Sequence, residues 1–267
     1  MNQSTLPSIV ALGKFDALHR GHQSLAIASA DLGGQPWLIS FSGMAEVLGW
    51  PSRLPLVAGV DRRRVLETWR DSCRGYTPHE YLIPFAEIRK MEPEKFIQVL
   101  AQDLGVSGVV VGENYRFGYK ARGDAALLQQ IAPTYGMKVE VVSLFGSGNA
   151  SDGEVVSSSR VRDALSTGNM SEVTDLLGRS YRLVLNSAEA NLNGPTCLCV
   201  PKRGSQNQPP SMGQYKALGY SVQENALLAH VGAGSPVNVV VTTDAIEIEG
   251  LDSDLKPNST VVLDFVT

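Results

Sequence analysis

The residues of this chain best suited to chemistry are two histidines three positions apart. His19 and His22 stand in Gly13-Lys14-Phe15-Asp16-Ala17-Leu18-His19-Arg20-Gly21-His22, directly behind the apolar run Ile9-Val10-Ala11-Leu12. A β-branched run, a glycine turn and a longer helical pattern from His22 to Ala30 predict a strand, a loop and a helix start. The first turn of such a helix has backbone N–H groups without internal partners, and its peptide dipoles favour negative charge. Two imidazoles straddling Gly21, which lets a backbone come close, add donors on the same side. That arrangement suits a phosphate, although either histidine alone would also serve as an ordinary polar residue of a helix start. The chain has only four histidines, and two of them sharing one loop with Gly13, Asp16 and Gly21 favours the phosphate.

A second candidate follows much later, in Val155-Val156-Ser157-Ser158-Ser159-Arg160-Val161-Arg162. A serine cluster ahead of Val161, Ala164 and Leu165 signals a helix N-terminus. Simple capping would account for the serines. Hydroxyls, first-turn amides and a fork-shaped guanidinium also make a phosphate clamp. A third stretch, Gly112-Glu113-Asn114-Tyr115-Arg116-Phe117-Gly118, opens from the apolar run Val106 to Val111, which reads as a buried parallel strand. In open parallel sheets ligands bind beyond the carboxyl ends of the strands. Asn114 offers a donor and an acceptor there, and Tyr115 and Phe117 offer faces for stacking.

Together these stretches resemble a known family. Gly-x-Phe-Asp-x-x-His-x-Gly-His is similar to the signature of the nucleotidylyltransferases with a His-x-Gly-His motif, and within them of the FMN adenylyltransferases, or FAD synthetases. GENYRFG, continued by Lys120, Arg122, Gly123 and Asp124, resembles that family's Gly-x-(Asp/Asn)-(Phe/Tyr)-x-Phe-Gly element. The serine stretch resembles Ile-Ser-Ser-Thr-x-Ile-Arg, with Ser159 in the threonine position. GKFDALHRGH followed by Ser40 to Trp50 looks most like the plant and algal plastid type, and a Phe-x-Pro element of the wider family is missing. The resemblance implies an ATP site at Gly13, Phe15, Asp16, His19, Gly21, His22, Ser158, Ser159 and Arg162. It implies an FMN site at Asn114, Tyr115 and Phe117, and catalytic roles for His19, His22, Asn114 and Arg162. No metal-ligating residue is assigned, because magnesium keeps waters and bridges phosphates and is expected mainly through ATP.

The elements that must position these residues are an alternation of strands and helices. After the first helix, Pro36 to Phe41 predicts a second strand, and the Gly- and Pro-rich segment 42–59 a long functional loop. Asp61 is the expected N-cap of a helix over Arg62 to Trp69. Its three leading arginines oppose the helix dipole and need a neighbouring anion or a solvated face; Arg62 is a weak phosphate candidate. A strand over Glu80 to Phe85 follows, with helices from Pro93 and Asp124, a strand over Lys138 to Ser143, and a spacer from Gly146 to Gly153. From Tyr181 the pattern changes to short strands at 181–185, 197–200, 215–222, 237–242, 245–249 and 260–266, separated by turns. The expected fold is therefore α/β, a Rossmann-like parallel sheet over residues 1–179 followed by a small all-β barrel-like domain over 180–267.

Composition bounds the partners. With 267 residues, 43% hydrophobic and 19% charged, the chain can bury a sizeable core. A net charge of −4 gives no general reason to bind nucleic acid or an anionic membrane, so a phosphate site must be local. Three cysteines, Cys73, Cys197 and Cys199, lack the paired spacing of a structural zinc site and fit a reducing compartment. No run is long and apolar enough to span a bilayer. Met1 to Pro7 leads straight into the first strand, so the chain acts where it is made or a targeting segment is missing. The resemblance implies the plastid stroma; a start at Met1 implies the cytoplasm. The oligomeric state is not read from the sequence.

In bacterial relatives of the family the C-terminal domain is a riboflavin kinase. Pro209 to Tyr215 echoes its Pro-Pro-x-Gly-Val-Tyr element, and Ile246 to Asp252 echoes the strand carrying its base, with Glu247 at the base position. The Gly-Arg-x-Leu-Gly-x-Pro-Thr-Ala-Asn run is absent, and Pro195-Thr196 continues as Cys-Leu. Without a cradle for ATP and magnesium an aligned glutamate cannot position phosphoryl transfer, so the domain is expected to lack kinase activity, with Glu247 on a solvated strand face. The expected reaction is adenylyl transfer from ATP to FMN. A bifunctional kinase/adenylyltransferase, a nucleotidylyltransferase for another small molecule and a non-catalytic nucleotide-binding protein remain as alternatives.

Overall fold

The structure is a computed structural model describing residues 8–143, 146, 155–193, 196–222, 234–250 and 260–267. The expected spacer at 147–153, Pro195 and Leu251-Asp252 lie outside the described residues. In chain order the elements are β1 (Ser8–Leu12), α1 (Arg20–Asp31), β2 (Gln35–Ser42), α2 (Met44–Leu48), α3 (Arg62–Thr68), β3 (His79–Pro84), α4 (Phe85–Ile88) and α5 (Pro93–Gln98). Then come β4 (Gly108–Gly112), β5 (Arg116–Phe117), β6 (Gly123–Asp124), α6 (Ala125–Ile131), β7 (Lys138–Val142), α7 (Ser158–Thr167) and α8 (Met170–Leu177). The last part holds β8 (Arg182–Asn186), β9 (Asn191–Leu192), β10 (Cys197–Pro201), β11 (Gly213–Val222), β12 (Ser235–Val241), β13 (Ala245–Glu249) and β14 (Thr260–Phe265).

The first sheet is parallel, in the order β3-β2-β1-β4-β7. Its central strand explains the continuous apolar run: Ile9 to Leu12 are buried on both faces. The chain winds outward from β1 through β2 to β3, then returns to the other side of β1 as β4 and β7. The strand order reverses between β1 and β4, the place where open α/β sheets hold their ligands. Phe96, Ile97, Leu100, Val109, Val111 and Leu128 fill the core beneath this edge.

The second sheet is antiparallel and curls into a half-barrel, ordered β8-β14-β11-β12-β13-β10-β9. Leu185 bridges to Ser205 just after β10, and Gln206 N–H donates to the Val184 carbonyl at 2.9 Å, which draws the open side together. Along β13, Ile246 and Ile248 are fully buried while Glu247 and Glu249 alternate with them outward. Both sheets bear out the expected fold class.

Two compact units divide the chain. One comprises residues 1–15, 20–52 and 65–155; the other comprises 16–19, 53–64 and 156–267. Thus α7 and α8 group with the half-barrel, and the reason is local. Ser211 N–H donates to the Leu165 carbonyl at 2.8 Å, and Gly168, at φ +75°, lies so close to Tyr215 and Ser211 that an added Cβ would meet both hydroxyls at 2.8 Å.

One sequence reading needs correction. The expected loop at 42–59 contains α2, bounded by left-handed Gly43 and Gly49. Asp61 stands directly ahead of α3, at the end of a short 3-10 turn, Gly59–Asp61. It is 2% exposed, its carboxylate accepts from Arg64 at 2.7 and 2.8 Å and from Arg182 at 3.3 Å, and Arg182 in turn pairs with Asp264. The arginine-rich start of α3 thus has a buried anion beside it. Removing that anion by Asp61→Ala leaves part-buried Arg64 without its carboxylate and Arg182 with Asp264 alone, and the expected loss is about 2 kcal/mol of unfolding free energy, measured by urea denaturation.

Candidate active site

In the first unit the carboxyl ends of β1 and β4 open onto a cavity of about 790 Å³. Gly13 and Lys14 reach it from behind β1, and Asn114 to Ala121 from behind β4. Phe41, Phe85 and Phe96 supply aromatic wall, Met44 and Leu48 of α2 supply aliphatic wall, and Arg89, Arg116 and Lys120 add positive charge. The expected pair Tyr115 and Phe117 stack with centroids 5.9 Å apart and planes 15° from parallel. Burial pushes the Tyr115 hydroxyl well above its ordinary range. Gly118 fixes the loop: it sits at φ +73°, and an added Cβ would stand 2.6 Å from Pro93. Lys14 lies over the Trp50 ring at 4.9 Å, which keeps a cation beside the loop after β1.

Phe15 is fully buried, at φ +39°, with its ring edge-on to His22 at 4.9 Å. It supports the imidazole from beneath. Gly13 allows this, since a Cβ there would press on the Phe15 ring at 3.1 Å. Gly21 and His22 lie in the first turn of α1.

Residues 16–19 of the motif belong to the second unit, where three groups hold them. The Asp16 carboxylate accepts from Leu56 N–H at 3.1 Å and from Arg162 Nη2 at 2.7 Å. Arg179 donates to the carbonyls of Ala17 at 2.9 Å and Leu18 at 2.7 Å. Leu18 stands at φ +46°, a conformation that costs a branched residue energy and persists because these bonds fix the backbone on either side. Burial and the nearby Arg64 and Arg62 lower the Arg179 guanidinium to about 10, with Asp61 and Tyr181 opposing, so it stays cationic at neutral pH.

His19 is 6% exposed, and burial followed by the charge of Arg179 lowers its pKa to about 4. At neutral pH it is an uncharged imidazole with one N–H donor. Asp16 acts on it in the opposite direction, so the same carboxylate stands beside both His19 and Arg162.

The serine stretch forms the start of α7. Ser157 is the N-cap and accepts from Arg160 N–H at 3.2 Å, which leaves Ser158 and Ser159 in the first turn. The capping reading is borne out at Ser157, and Ser158 and Ser159 stand by the first-turn amides. Arg160 is engaged with Glu172 at 2.9 Å. Arg162 donates to Asp16, to the Leu54 carbonyl at 3.0 Å and to the Gln208 side chain. Arg62 reaches the Asp16 carbonyl at 3.5 Å.

Residue patterns missed Arg179, Asn207 and Gln208 as parts of this arrangement. Arg179 ends the run Leu176-Leu177-Gly178, which reads as a helix stop. Nothing local marks the other two. Among the described residues no group of three or more His, Cys, Asp or Glu side chains is placed to hold a metal, and no helix is long and apolar enough to cross a membrane.

Comparison with known proteins gives a consistent picture. A family model described as FAD synthetase matches residues 78–160. "FAD synthetase 2, chloroplastic" of Arabidopsis thaliana is 43% identical over 251 residues, covering 90% of this chain and 66% of that protein. "FAD synthetase 1, chloroplastic" of the same plant is 42% identical over 222 residues, covering 78% and 62%. The chain thus spans just under two thirds of the length of these two relatives. A "Bifunctional riboflavin kinase/FMN adenylyltransferase" of Escherichia coli K12 is 26% identical over 254 residues, 91% of this chain and 78% of that one. A solved structure titled as a macrolide-efflux protein from Streptococcus pneumoniae aligns with a TM-score of 0.76 at 20% identity, over 98% of this chain and 86% of that one. At that identity it speaks for the fold alone.

The buried, neutral His19 has a consequence for stability. An unfolded histidine takes up a proton near pH 6.5, whereas the folded one resists until about 4. Its contribution is therefore fully present above pH 6.5 and is lost as pH falls from there towards 4. The full shift corresponds to on the order of 3 kcal/mol. His19→Asn should lose less stability than the parent over this window, measured as unfolding free energy at a series of pH values.

Proposed function

The chain belongs to the FAD synthetase family, of the type of the chloroplastic plant members, and we propose that it transfers the adenylyl group of ATP to FMN, giving FAD and pyrophosphate. The observation that carries this reading is the aromatic-walled cavity at the switch point of the parallel sheet, lined by both Gly13 of the histidine motif and Asn114 to Phe117. Its volume and its stacked Tyr115 and Phe117 suit a flat tricyclic ring. Its cations suit the phosphate that the ring carries.

In this reading Tyr115 and Phe117 pack the flavin and Asn114 serves its phosphate. One FMN phosphate oxygen attacks the α-phosphorus of ATP in line; the bond to the bridging oxygen breaks and pyrophosphate leaves. The nucleophile is already an anion, so no general base is needed. Charge grows on the nonbridging and leaving oxygens, and the protein's contribution is donors fixed in advance. His22, backed by Phe15, and the uncharged His19 donate to the α- and β-phosphates. Ser158, Ser159, the first-turn amides of α7 and Arg162 hold the departing pyrophosphate, with Gly13, Asp16 and Gly21 shaping the loop. Magnesium, when bound, neutralises phosphate charge; oxygen donors suit so hard a cation, and Asn114 together with the phosphates and water offers them. The names of the plant relatives support action in the plastid.

For the half-barrel we propose no kinase activity. Glu247, the residue at the kinase base position, alternates outward on β13 beside Cys199 of β10 and Val240 of β12. The sequence around it lacks the nucleotide cradle.

The test is ATP with FMN or riboflavin as separate acceptors, with products resolved by chromatography. FMN should yield FAD and pyrophosphate, and riboflavin should yield no FMN. Loss of one phosphate donor costs about 3 kcal/mol, roughly 100-fold in rate. His22→Ala should therefore lower turnover by about that factor, and unchanged FAD formation by that variant would refute the assignment.

A further inference from the structure

Arg162 is held by more than the motif. Its Nη2 donates to Asp16 and to the Leu54 carbonyl, and its Nη1 donates to the side-chain oxygen of Gln208. Three of the five guanidinium N–H groups are thus spoken for by protein oxygens. Gln208 itself has little freedom. Its N–H donates to the Pro55 carbonyl at 2.9 Å, and its own carbonyl accepts from the Tyr181 hydroxyl.

Behind it stands Asn207, fully buried. Asn207 accepts from Val184 N–H at 2.9 Å and donates to the carbonyls of Arg182 at 2.8 Å and Leu56 at 3.2 Å and to the Tyr181 hydroxyl at 3.0 Å. The pair therefore ties strand β8 to the segment 54–56, the same segment whose Leu56 N–H reaches Asp16. Gln208 is neutral, so it orients the guanidinium without cancelling its charge, whereas a carboxylate there would compete with phosphate for the same cation.

We infer that Gln208 is a positioning residue for the nucleotide: anchored through Asn207 to the half-barrel, it fixes the Arg162 fork in the orientation that meets the ATP phosphates. This rests on the reading of Arg162 as a phosphate ligand. It also gives the half-barrel a part in adenylyl transfer without any chemistry of its own.

The experiment is a double-mutant cycle of Gln208→Ala and Arg162→Ala in the full chain, reading KM for ATP and for FMN. Gln208→Ala removes one hydrogen bond to a charged group and should raise KM for ATP roughly tenfold, with KM for FMN and the melting temperature close to the parent. Gln208→Glu keeps the shape and the anchored backbone but adds a second carboxylate, and should weaken ATP further than alanine does. In the Arg162→Ala background, Gln208→Ala should have no additional effect on ATP. An equal effect in both backgrounds, or equal rises in KM for ATP and FMN, would overturn the inference while leaving Arg162 as a phosphate ligand. If Arg162→Ala itself leaves KM for ATP unchanged, the reading of Arg162 falls and the inference with it.

Discussion

The arrangement depends on one carboxylate. Asp16 accepts from the backbone of Leu56 and from the guanidinium of Arg162, and so joins three segments far apart in sequence: the motif loop, residues 54–56 and helix α7. Each of these carries a cost. The loop holds Phe15 and Leu18 at positive φ, Arg162 brings a charge that is only 19% exposed, and the segment 54–56 has no regular structure to satisfy its amides. A single anion answers all three, because a carboxylate has about four lone-pair directions and accepts from several donors at once. A neutral asparagine in its place would lose the charge that balances Arg162.

Around this carboxylate the charges are ordered by burial. Arg179 satisfies the carbonyls of the strained loop and remains cationic, while His19 beside it is uncharged. Loss of solvent disfavours a charged imidazole, and the neighbouring cation adds to the effect. An uncharged imidazole is a suitable donor to a growing phosphate charge, since it needs no counterion when the site is empty. Guanidinium groups, by contrast, keep their charge through the neutral range.

The half-barrel extends the same logic. Its strands β8 and β14 are buried along most of their length, and the segment after β10 folds back to meet β8 through Asn207. Buried amides of this kind are fully satisfied or they are destabilising; Asn207 makes bonds with both its oxygen and its nitrogen.

Much of this was written in local patterns. The parallel sheet follows from apolar runs such as Ile9 to Leu12 and Val109 to Val111, which are continuous because both faces of the strand are buried. The half-barrel follows from short alternating strands, and the candidate phosphate ligands from residue types and their spacing along one turn of chain. Asp61 shows where such reasoning stops. Its position before a helix reads as a cap, and nothing there foretells that its carboxylate accepts from Arg64 and from Arg182, the latter 121 residues away. Gln208 on Arg162 and Arg179 on Leu18 are likewise partnerships across long separations. Local chemistry determined which residues could bind phosphate; tertiary structure alone decided their partners, because a hydrogen bond depends on where two atoms lie in space and leaves no periodic trace along the chain.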